Sequence, residues 1–106
     1  MKHIISITAP NLEANLDPKF GRALWFCLYD DVSKETQFIE NTESANAAQG
    51  AGIQAANKVV HLKAQQVFSG HFGPKAAQVL SQANIKMVEI QEKTSLKDVL
   101  KKIDAL

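Results

Sequence analysis

The apolar residues of this chain gather in five short runs that have the length and composition of β-strands. Runs rich in β-branched and aromatic residues, bounded by turn-forming residues, are typical of strands. They predict strands β1 to β5 at residues 4–8, 25–29, 36–40, 66–69 and 86–90. Only the turn-like stretch 30–34 separates β2 from β3, which predicts a hairpin.

Three further stretches repeat apolar residues at helical spacing. The first helix is predicted over residues 50–62. The second begins at Pro74, because the missing N–H of proline does no harm at the first helical position, and Asn84 ends it in a left-handed conformation. Ser95, with Asp98 three residues later, resembles a capping box that starts a C-terminal helix.

The resulting order, β-β-β-α-β-α-β-α, alternates strands and helices through the second half of the chain. Such alternation predicts right-handed crossovers and a mostly parallel sheet, to which the hairpin adds an antiparallel strand. A length of 106 residues is that of one domain, and 45% hydrophobic and 22% charged residues are near globular averages. We therefore predict a single α/β domain, residues 1–106, with a five-stranded mixed sheet and three helices.

Charge and hydropathy exclude several classes of protein. The net charge of +1 disfavours a strongly basic nucleic-acid binder and a polybasic membrane protein. No segment reaches the roughly 18–20 apolar residues of a membrane span. The N-terminal apolar stretch lacks a small-residue cleavage site, so it is expected to be a strand rather than a signal peptide. The cytoplasm is the expected location.

Sequence signatures of the common enzyme classes are missing. The chain has no Walker loop, no Gly-x-Ser-x-Gly, no His-Glu-x-x-His and no Gly-x-Gly-x-x-Gly. Strand β1 also lacks the clustered carboxylates that a two-metal nuclease needs. A protein without catalytic turnover is expected.

The five glycines all lie in three connections, Gly21 after β1, Gly50 and Gly52 before the first helix, and Gly70 and Gly73 after β4. In an open α/β sheet, ligands bind outside the carboxyl ends of the strands, where glycine lets backbone approach a ligand closely. If β1 and β4 are parallel neighbours, two of these bends meet there, and the start of the first helix could favour an anion. The alternative is that the glycines simply serve loops.

The connection between β1 and β2 is long for a compact domain, and long connections are usually functional or disordered. It runs from Asn11 to Arg22, and its second half combines Phe20 with the cations Lys19 and Arg22. That mixture suits an anionic, partly apolar ligand. The alternative is that Phe20 is a core anchor and both cations are solvated.

Two side chains are candidate metal ligands. His71 lies in the bend after β4, where it could ligate a metal or donate to an anion, although a loop histidine more often does neither. Cys27 lies in mid-strand, where a free thiol is usually a small buried hydrophobe, and ligation would need an exposed, electropositive setting. One cysteine cannot hold a thiolate zinc or an all-cysteine iron–sulfur cluster.

Three segments resemble, in order, signatures of the dinitrogenase iron–molybdenum cofactor biosynthesis domain family. They are Asp-Pro-Lys-Phe-Gly-Arg-Ala at 17–23, Gly-Ala-Gly-Ile-Gln-Ala-Ala at 50–56 and Ser-Gly-His-Phe-Gly-Pro-Lys-Ala at 69–76. Phe26 and Tyr29 extend the first signature. The resemblance covers nearly the whole chain.

The resemblance implies a ribonuclease H-like sheet of five strands in which β2 is antiparallel. Members of the family carry, or help to assemble, iron–sulfur or molybdenum-containing clusters and do not catalyse turnover. This small chain looks most like the orange-protein group, which binds a mixed molybdenum–copper sulfide cluster. Nitrogenase-accessory members often place a histidine directly before the Phe-Gly of the first signature, whereas this chain has Lys19 there. The replacement favours a cluster held by charge, hydrogen bonds and packing, with few or no protein–metal bonds.

The chain is therefore interpreted as a non-enzymatic carrier of a metal–sulfide cluster, of molybdenum–copper or iron–molybdenum–sulfur composition. Lys19 and Arg22 would offset the charge of the thiometallate, and Phe20 and Phe72 would exclude water. Backbone N–H groups would donate to its sulfides. These groups lie around Gly50, Gly52, Gly70 and Gly73. The residues predicted to bind the cofactor are Asn11, Lys19, Phe20, Gly21, Arg22, Gly50, Gly52, Gly70, His71, Phe72 and Gly73.

Other functions stay open on the sequence. The chain could be a protein-interaction module of a larger complex, a small-anion-binding domain without a metal, or a small-anion or nucleotide-binding enzyme. The expected partners are the cluster and proteins of cluster assembly, with neither nucleic acid nor membrane. The chain is expected to be a monomer or a weak homodimer.

Overall fold

A five-stranded sheet with the order β3-β2-β1-β4-β5 organises the chain in a computed structural model that describes residues 1–105. The strands are Lys2–Ile7, Trp25–Asp30, Thr36–Glu40, Gln66–Ser69 and Lys86–Glu89. All five predicted strands are confirmed, with ends that shift by at most two residues from their predicted bounds.

Strand directions confirm the predicted mixed sheet. β2 pairs antiparallel with both β1 and β3, whereas β1 pairs parallel with β4 and β4 pairs parallel with β5. β2 therefore runs against the other four described strands. Because β1 and β4 are parallel neighbours, the connections that follow them leave the sheet at the same edge.

Four helices accompany the sheet in the described chain, α1 at Thr42–Ala45, α2 at Ala51–His61, α3 at Pro74–Gln82 and α4 at Leu96–Asp104. A 3-10 turn, Phe20–Arg22, lies in the connection between β1 and β2. Two of the predicted end signals are confirmed. Ser95 Oγ accepts a hydrogen bond from the Asp98 N–H at 3.1 Å, and Asn84 after α3 has a φ of 59°.

The chain folds into two hydrophobic layers because side chains alternate between the faces of each strand. On β2, Phe26 joins the layer that contains α2 and α3, and Cys27 joins the layer that contains α4. β1 is buried on both faces, as expected for the central strand. No helix of the described residues is long and apolar enough to cross a membrane.

The sequence pattern does not predict helix α1, so the expected three helices are one too few. The stretch 41–49 is polar and small, and α1 depends on residues far along the chain. The side-chain amide of Asn41 donates to the Ala23 carbonyl oxygen at 2.8 Å, and Nη1 of Arg22 donates to the Ala45 carbonyl oxygen at 2.9 Å. A four-residue helix is unstable alone, and tertiary hydrogen bonds of this kind leave no local periodicity.

A carboxylate at the end of α4 ties this helix to the β2–β3 hairpin. Tyr29 Oη donates to the two carboxylate oxygens of Asp104 at 2.8 and 2.9 Å, and Lys34 Nζ donates to one of them at 2.9 Å. The hydrogen bond from Lys34, followed by the one from Tyr29, lowers the pKa of Asp104.

The lowered pKa of Asp104 predicts a pH-dependent contribution to stability. A carboxyl group whose pKa is lower in the folded state than in the unfolded state stabilises the fold at pH values above its ordinary pKa. This stabilisation is lost as the pH falls through the pKa of the folded state. Asp104→Asn should therefore lower the urea midpoint near neutral pH and leave it close to wild type in strong acid. Unfolding at a series of pH values, followed by Trp25 fluorescence, measures the difference. Glu92→Gln is the control, and parallel pH profiles for wild type and Asp104→Asn would contradict the assignment.

Candidate functional site

A cavity lies where the three glycine-containing connections meet at the carboxyl ends of β1 and β4. Its volume is about 450 Å³, within the range of roughly 300–1,000 Å³ for small-molecule sites. The 3-10 turn and the first turns of α2 and α3 form its walls. The lining residues are Lys19, Phe20, Gly21, Arg22, Gly50, Ala51, Gly52, Ile53, His71, Gly73, Pro74, Lys75 and Ala76.

A buried serine pair fixes the first connection to the strand ends. The hydroxyl oxygens of Ser6 and Ser69 lie 2.8 Å apart, and both side chains are fully buried. Each hydroxyl is within hydrogen-bonding distance of the Asp17 carbonyl oxygen, at 2.7 and 3.2 Å. The Asp17 N–H in turn donates to the Ser6 carbonyl oxygen at 2.8 Å. These bonds place the residues that follow Asp17 beside both strands.

The turn and the two helices then pack backbone against backbone. A Cβ atom on Gly21 would lie 2.9 Å from the Cα and N atoms of Gly52, and one on Gly52 would lie 3.3 Å from the Cβ of Ala76. The Phe20 N–H also donates to the His71 carbonyl oxygen at 3.2 Å. Gly21 and Gly52 therefore serve close packing around the cavity, rather than chain flexibility in a loop.

Two helix N-termini meet at the cavity without a side-chain cap. The first intrahelical bonds run from Gln54 N–H to the Gly50 carbonyl and from Ala77 N–H to the Gly73 carbonyl. The backbone N–H groups before them have no acceptor among residues 1–105, and they belong to Ala51, Gly52, Ile53, Lys75 and Ala76. Unpaired N–H groups and the positive ends of two helix dipoles favour an anion.

The charged side chains of the cavity have the same sign. Lys19, Arg22 and Lys75 line it, and no lining residue in the described chain is acidic. Arg22 is partly engaged, because both hydrogens of Nη1 point to the carbonyl oxygens of Ala45 and Ala47. Its Nε and Nη2 donors have no acceptor among the described residues.

Aromatic rings form the floor of the cavity. The Phe20 ring stacks on that of Phe26 at a centroid distance of 5.5 Å and packs on Phe72 at 5.2 Å. Phe20 is only 1% exposed, so it is a core anchor, and it also presents an edge to the cavity. Phe20 is therefore both a core anchor and a part of the cavity lining.

His71 lies at the exposed rim of the cavity. Its side chain is 74% exposed, and Nδ1 is 3.9 Å from a carboxylate oxygen of Glu89. No group of three or more His, Cys, Asp or Glu side chains within residues 1–105 comes together to hold a metal ion. His71 is therefore placed to contact a ligand at the rim, without a set of partner ligands.

Cys27 lies in the other hydrophobic layer, away from the cavity. It is fully buried on the face of the sheet that α4 covers. Burial raises the pKa of the Cys27 thiol to about 12, which disfavours the thiolate that metal ligation needs. The candidate role of Cys27 as a metal ligand does not fit this position.

The structure brings together eight of the eleven residues that the sequence predicts for ligand binding. Asn11 is not among the lining residues, because the turn after β1 directs its side-chain oxygen to the Glu13 N–H at 2.9 Å. Gly70 is covered by Pro18, and Phe72 lies below Phe20 in the core. The residues that line the cavity are Lys19, Phe20, Gly21, Arg22, Gly50, Gly52, His71 and Gly73.

Sequence reasoning does not single out Lys75 as a site residue. It belongs to the third signature and follows Pro74 in the first turn of α3. Its place in the first turn of a helix that begins directly after Gly73 is the signal that could have found it, since residues of a first helical turn share the space in front of the helix.

Comparisons with known proteins agree with this architecture. The model of the family described as "Dinitrogenase iron-molybdenum cofactor" matches residues 1–106. The apo form of the orange protein from Desulfovibrio gigas superimposes with a TM-score of 0.91 at 29% identity, over 96% of this chain and 85% of that one. A NifB-like protein from Thermotoga superimposes with a TM-score of 0.84 at 21% identity, over 98% and 87% of the two chains. No curated protein sequence matches the chain.

The two glycines of the bend after β4 should respond differently to substitution. A Cβ on Gly70 would lie 2.7 Å from the Cα of Pro18, whereas a Cβ on Gly73 meets no atom within 4 Å. Gly70→Ala should cost about 1–3 kcal/mol of unfolding free energy, as overpacking does, and Gly73→Ala should stay within about 0.5 kcal/mol of wild type. Urea unfolding of the matched pair measures both values. Equal losses would show that the bend does not have this close contact.

The Cys27 thiol should be unreactive in the folded protein. Burial raises the pKa of the thiol to about 12, so the reactive thiolate is scarce at pH 8, and the side chain is also inaccessible. A chromogenic disulfide reagent should label less than a tenth of the protein in native buffer within an hour and all of it in urea. Rapid labelling of native protein would place Cys27 at an accessible surface.

Proposed function

The chain belongs to the dinitrogenase iron-molybdenum cofactor family, and on that premise we propose that it is a non-enzymatic carrier of an anionic metal–sulfide cluster. The cluster binds in the cavity at the carboxyl ends of β1 and β4. One observation carries the proposal, namely that two uncapped helix N-termini and three cationic side chains face the same space.

The donors of the cavity match the chemistry of a thiometallate. Sulfide ligands at the surface of such a cluster are soft hydrogen-bond acceptors, and the cluster as a whole is a bulky anion. The N–H groups of Gly52 and Ala76 donate to the sulfides, while Lys19 and Lys75 offset the charge. Since these contacts are all made to the sulfides, the protein needs no ligand on the metal.

The apolar part of the lining supports the same assignment. Phe20 and Ile53 cover the inner wall of the cavity. Apolar walls exclude water from one side of a ligand, and hydrogen bonds and ion pairs are stronger where water is excluded. A large, weakly hydrated anion gains from this environment more than a small oxyanion does.

The composition of the lining favours binding over covalent catalysis. Within residues 1–105 the cavity is lined by no serine, threonine, cysteine, aspartate or glutamate. The nearby carboxylate of Asp17 accepts from the Lys19 N–H at 3.0 Å and so completes the turn. A nucleotide-hydrolysing enzyme would need a nucleophile or base held within this space, whereas the His71 side chain lies at the rim and is 74% exposed.

The relatives support a choice of metals. The family is described by an iron-molybdenum cofactor, and the orange protein is a structural neighbour. We propose molybdenum–copper sulfide as the first candidate and iron–molybdenum–sulfur as the second. A carrier also has a donor and an acceptor, so its protein partners are those that assemble or receive the cluster.

A metal-free small-anion site is the second candidate function. Helix N-termini bind phosphate and sulfate as readily as thioanions. The two uncapped helices α2 and α3 are the observation that favours it. Inorganic phosphate that binds tightly and blocks thiomolybdate would support this candidate over the first.

Anaerobic reconstitution with tetrathiomolybdate and copper tests the proposal. We expect a coloured protein with stoichiometric molybdenum, measured by visible absorption and elemental analysis after desalting. Lys19→Ala and Lys75→Ala should each raise Kd about tenfold or more, since a hydrogen bond that involves a charged group contributes about 1.5–3 kcal/mol. Arg22→Ala should also weaken uptake. The affinity should fall as the salt concentration rises.

Lys101→Ala provides the matched control. Lys101 is exposed on α4, the helix on the other layer of the fold, and its replacement removes the same charge. Its Kd should equal that of wild type. A colourless protein without bound metal would refute the carrier function, and equal affinity of the Lys19, Lys75 and Lys101 variants would refute the assignment of the cavity.

A further inference from the structure

The segment between β3 and α2 is held at its end by one side chain from another part of the chain. Helix α1 has four residues, Thr42–Ala45, too few to be stable alone. Beyond it the chain reaches Gly50, which begins α2 and lines the cavity. The carbonyl oxygens of Ala45 and Ala47 both accept from Nη1 of Arg22.

Arg22 is therefore connected to the cavity and to this segment at once. A guanidinium carries five N–H donors in one rigid plane. The two on Nη1 are used by the segment, while the three on Nε and Nη2 have no acceptor among the residues that the structure describes. Because Arg22 lines the cavity, an anion there can accept from Nε or Nη2 without releasing the two carbonyl oxygens.

The two sets of bonds support one another. The carbonyl oxygens of Ala45 and Ala47 fix the plane of the guanidinium before any ligand arrives, which lowers the entropy lost on binding. By thermodynamic linkage, a ligand that holds the guanidinium must stabilise the segment by the same amount. A lysine at this position could not make the same bonds. Its single nitrogen has no rigid plane of donors that could bind two carbonyl oxygens and a ligand at once.

We infer that Arg22 couples occupation of the cavity to the order of residues 45–50. The inference rests on the proposed anion binding in the same cavity. When the cavity is filled, the guanidinium is held by the segment at Nη1 and by the ligand at its other nitrogens. The surface formed by residues 45–50 then differs in mobility between loaded and unloaded protein, which gives a partner a means to distinguish them.

Hydrogen–deuterium exchange of the full chain, with and without tetrathiomolybdate, tests this coupling through Arg22. The backbone N–H groups of Ala45, Asn46 and Ala47 donate within the segment and report its opening. In wild type, tetrathiomolybdate should slow their exchange at least threefold. Arg22→Lys keeps the charge, yet it should speed their exchange about tenfold without ligand and remove the ligand-dependent slowing. Amides of β1 serve as the reference for global unfolding.

Lys19→Gln is the matched control for ligand contact alone. It should weaken tetrathiomolybdate binding and leave the exchange of Ala45–Ala47 amides in unloaded protein unchanged. Equal exchange of these amides in unloaded wild type and Arg22→Lys would show that Arg22 does not hold the segment and would overturn the inference. Saturable binding without any slowing in wild type would overturn the coupling.

A different result separates this inference from the proposed function. If wild type binds no tetrathiomolybdate, the carrier function fails and the coupling fails with it. Faster exchange in Arg22→Lys would still establish that Arg22 holds the segment in place.

Discussion

The close contact between Gly21 and Gly52 is the constraint on which the cavity depends. Because a Cβ atom at Gly21 would reach within 2.9 Å of the Gly52 backbone, the 3-10 turn and α2 can touch only as bare main chain. Gly52 lies in turn against Ala76 of α3. This chain of small residues brings two helix starts to the end of β1, where larger side chains would hold them apart.

The electrostatics of the cavity follow from that packing. Helix dipoles act within about one turn of the helix end, so two of them reinforce each other only when the ends are close. The mobile charges of Lys19 and Lys75 are added to an arrangement that the backbone already provides. The fold thus supplies fixed donors and the side chains supply adjustable ones, a combination that suits a bulky anion without a set of protein ligands.

Much of the fold could be predicted from the sequence because its signals are local. β-branched runs, Pro74 and Ser95 mark their elements directly, and the parallel neighbours β1 and β4 place two of the three glycine bends at one edge. Helix α1 could not be predicted, since its hydrogen bonds come from residues about twenty positions away. Asn11 is predicted to bind the ligand but does not line the cavity, and the length of a connection does not reveal which of its residues turns toward such a space.

The burial of Cys27 has a consequence for the proposed metal–sulfide cargo. Thiolates are soft ligands that favour copper, so an accessible cysteine would compete with inorganic sulfide for the metal of such a cluster. Here the one sulfhydryl of the chain lies beneath the opposite layer of the sheet and stays protonated. A cluster in the cavity would keep its inorganic sulfides intact and could leave as the same chemical species that arrived.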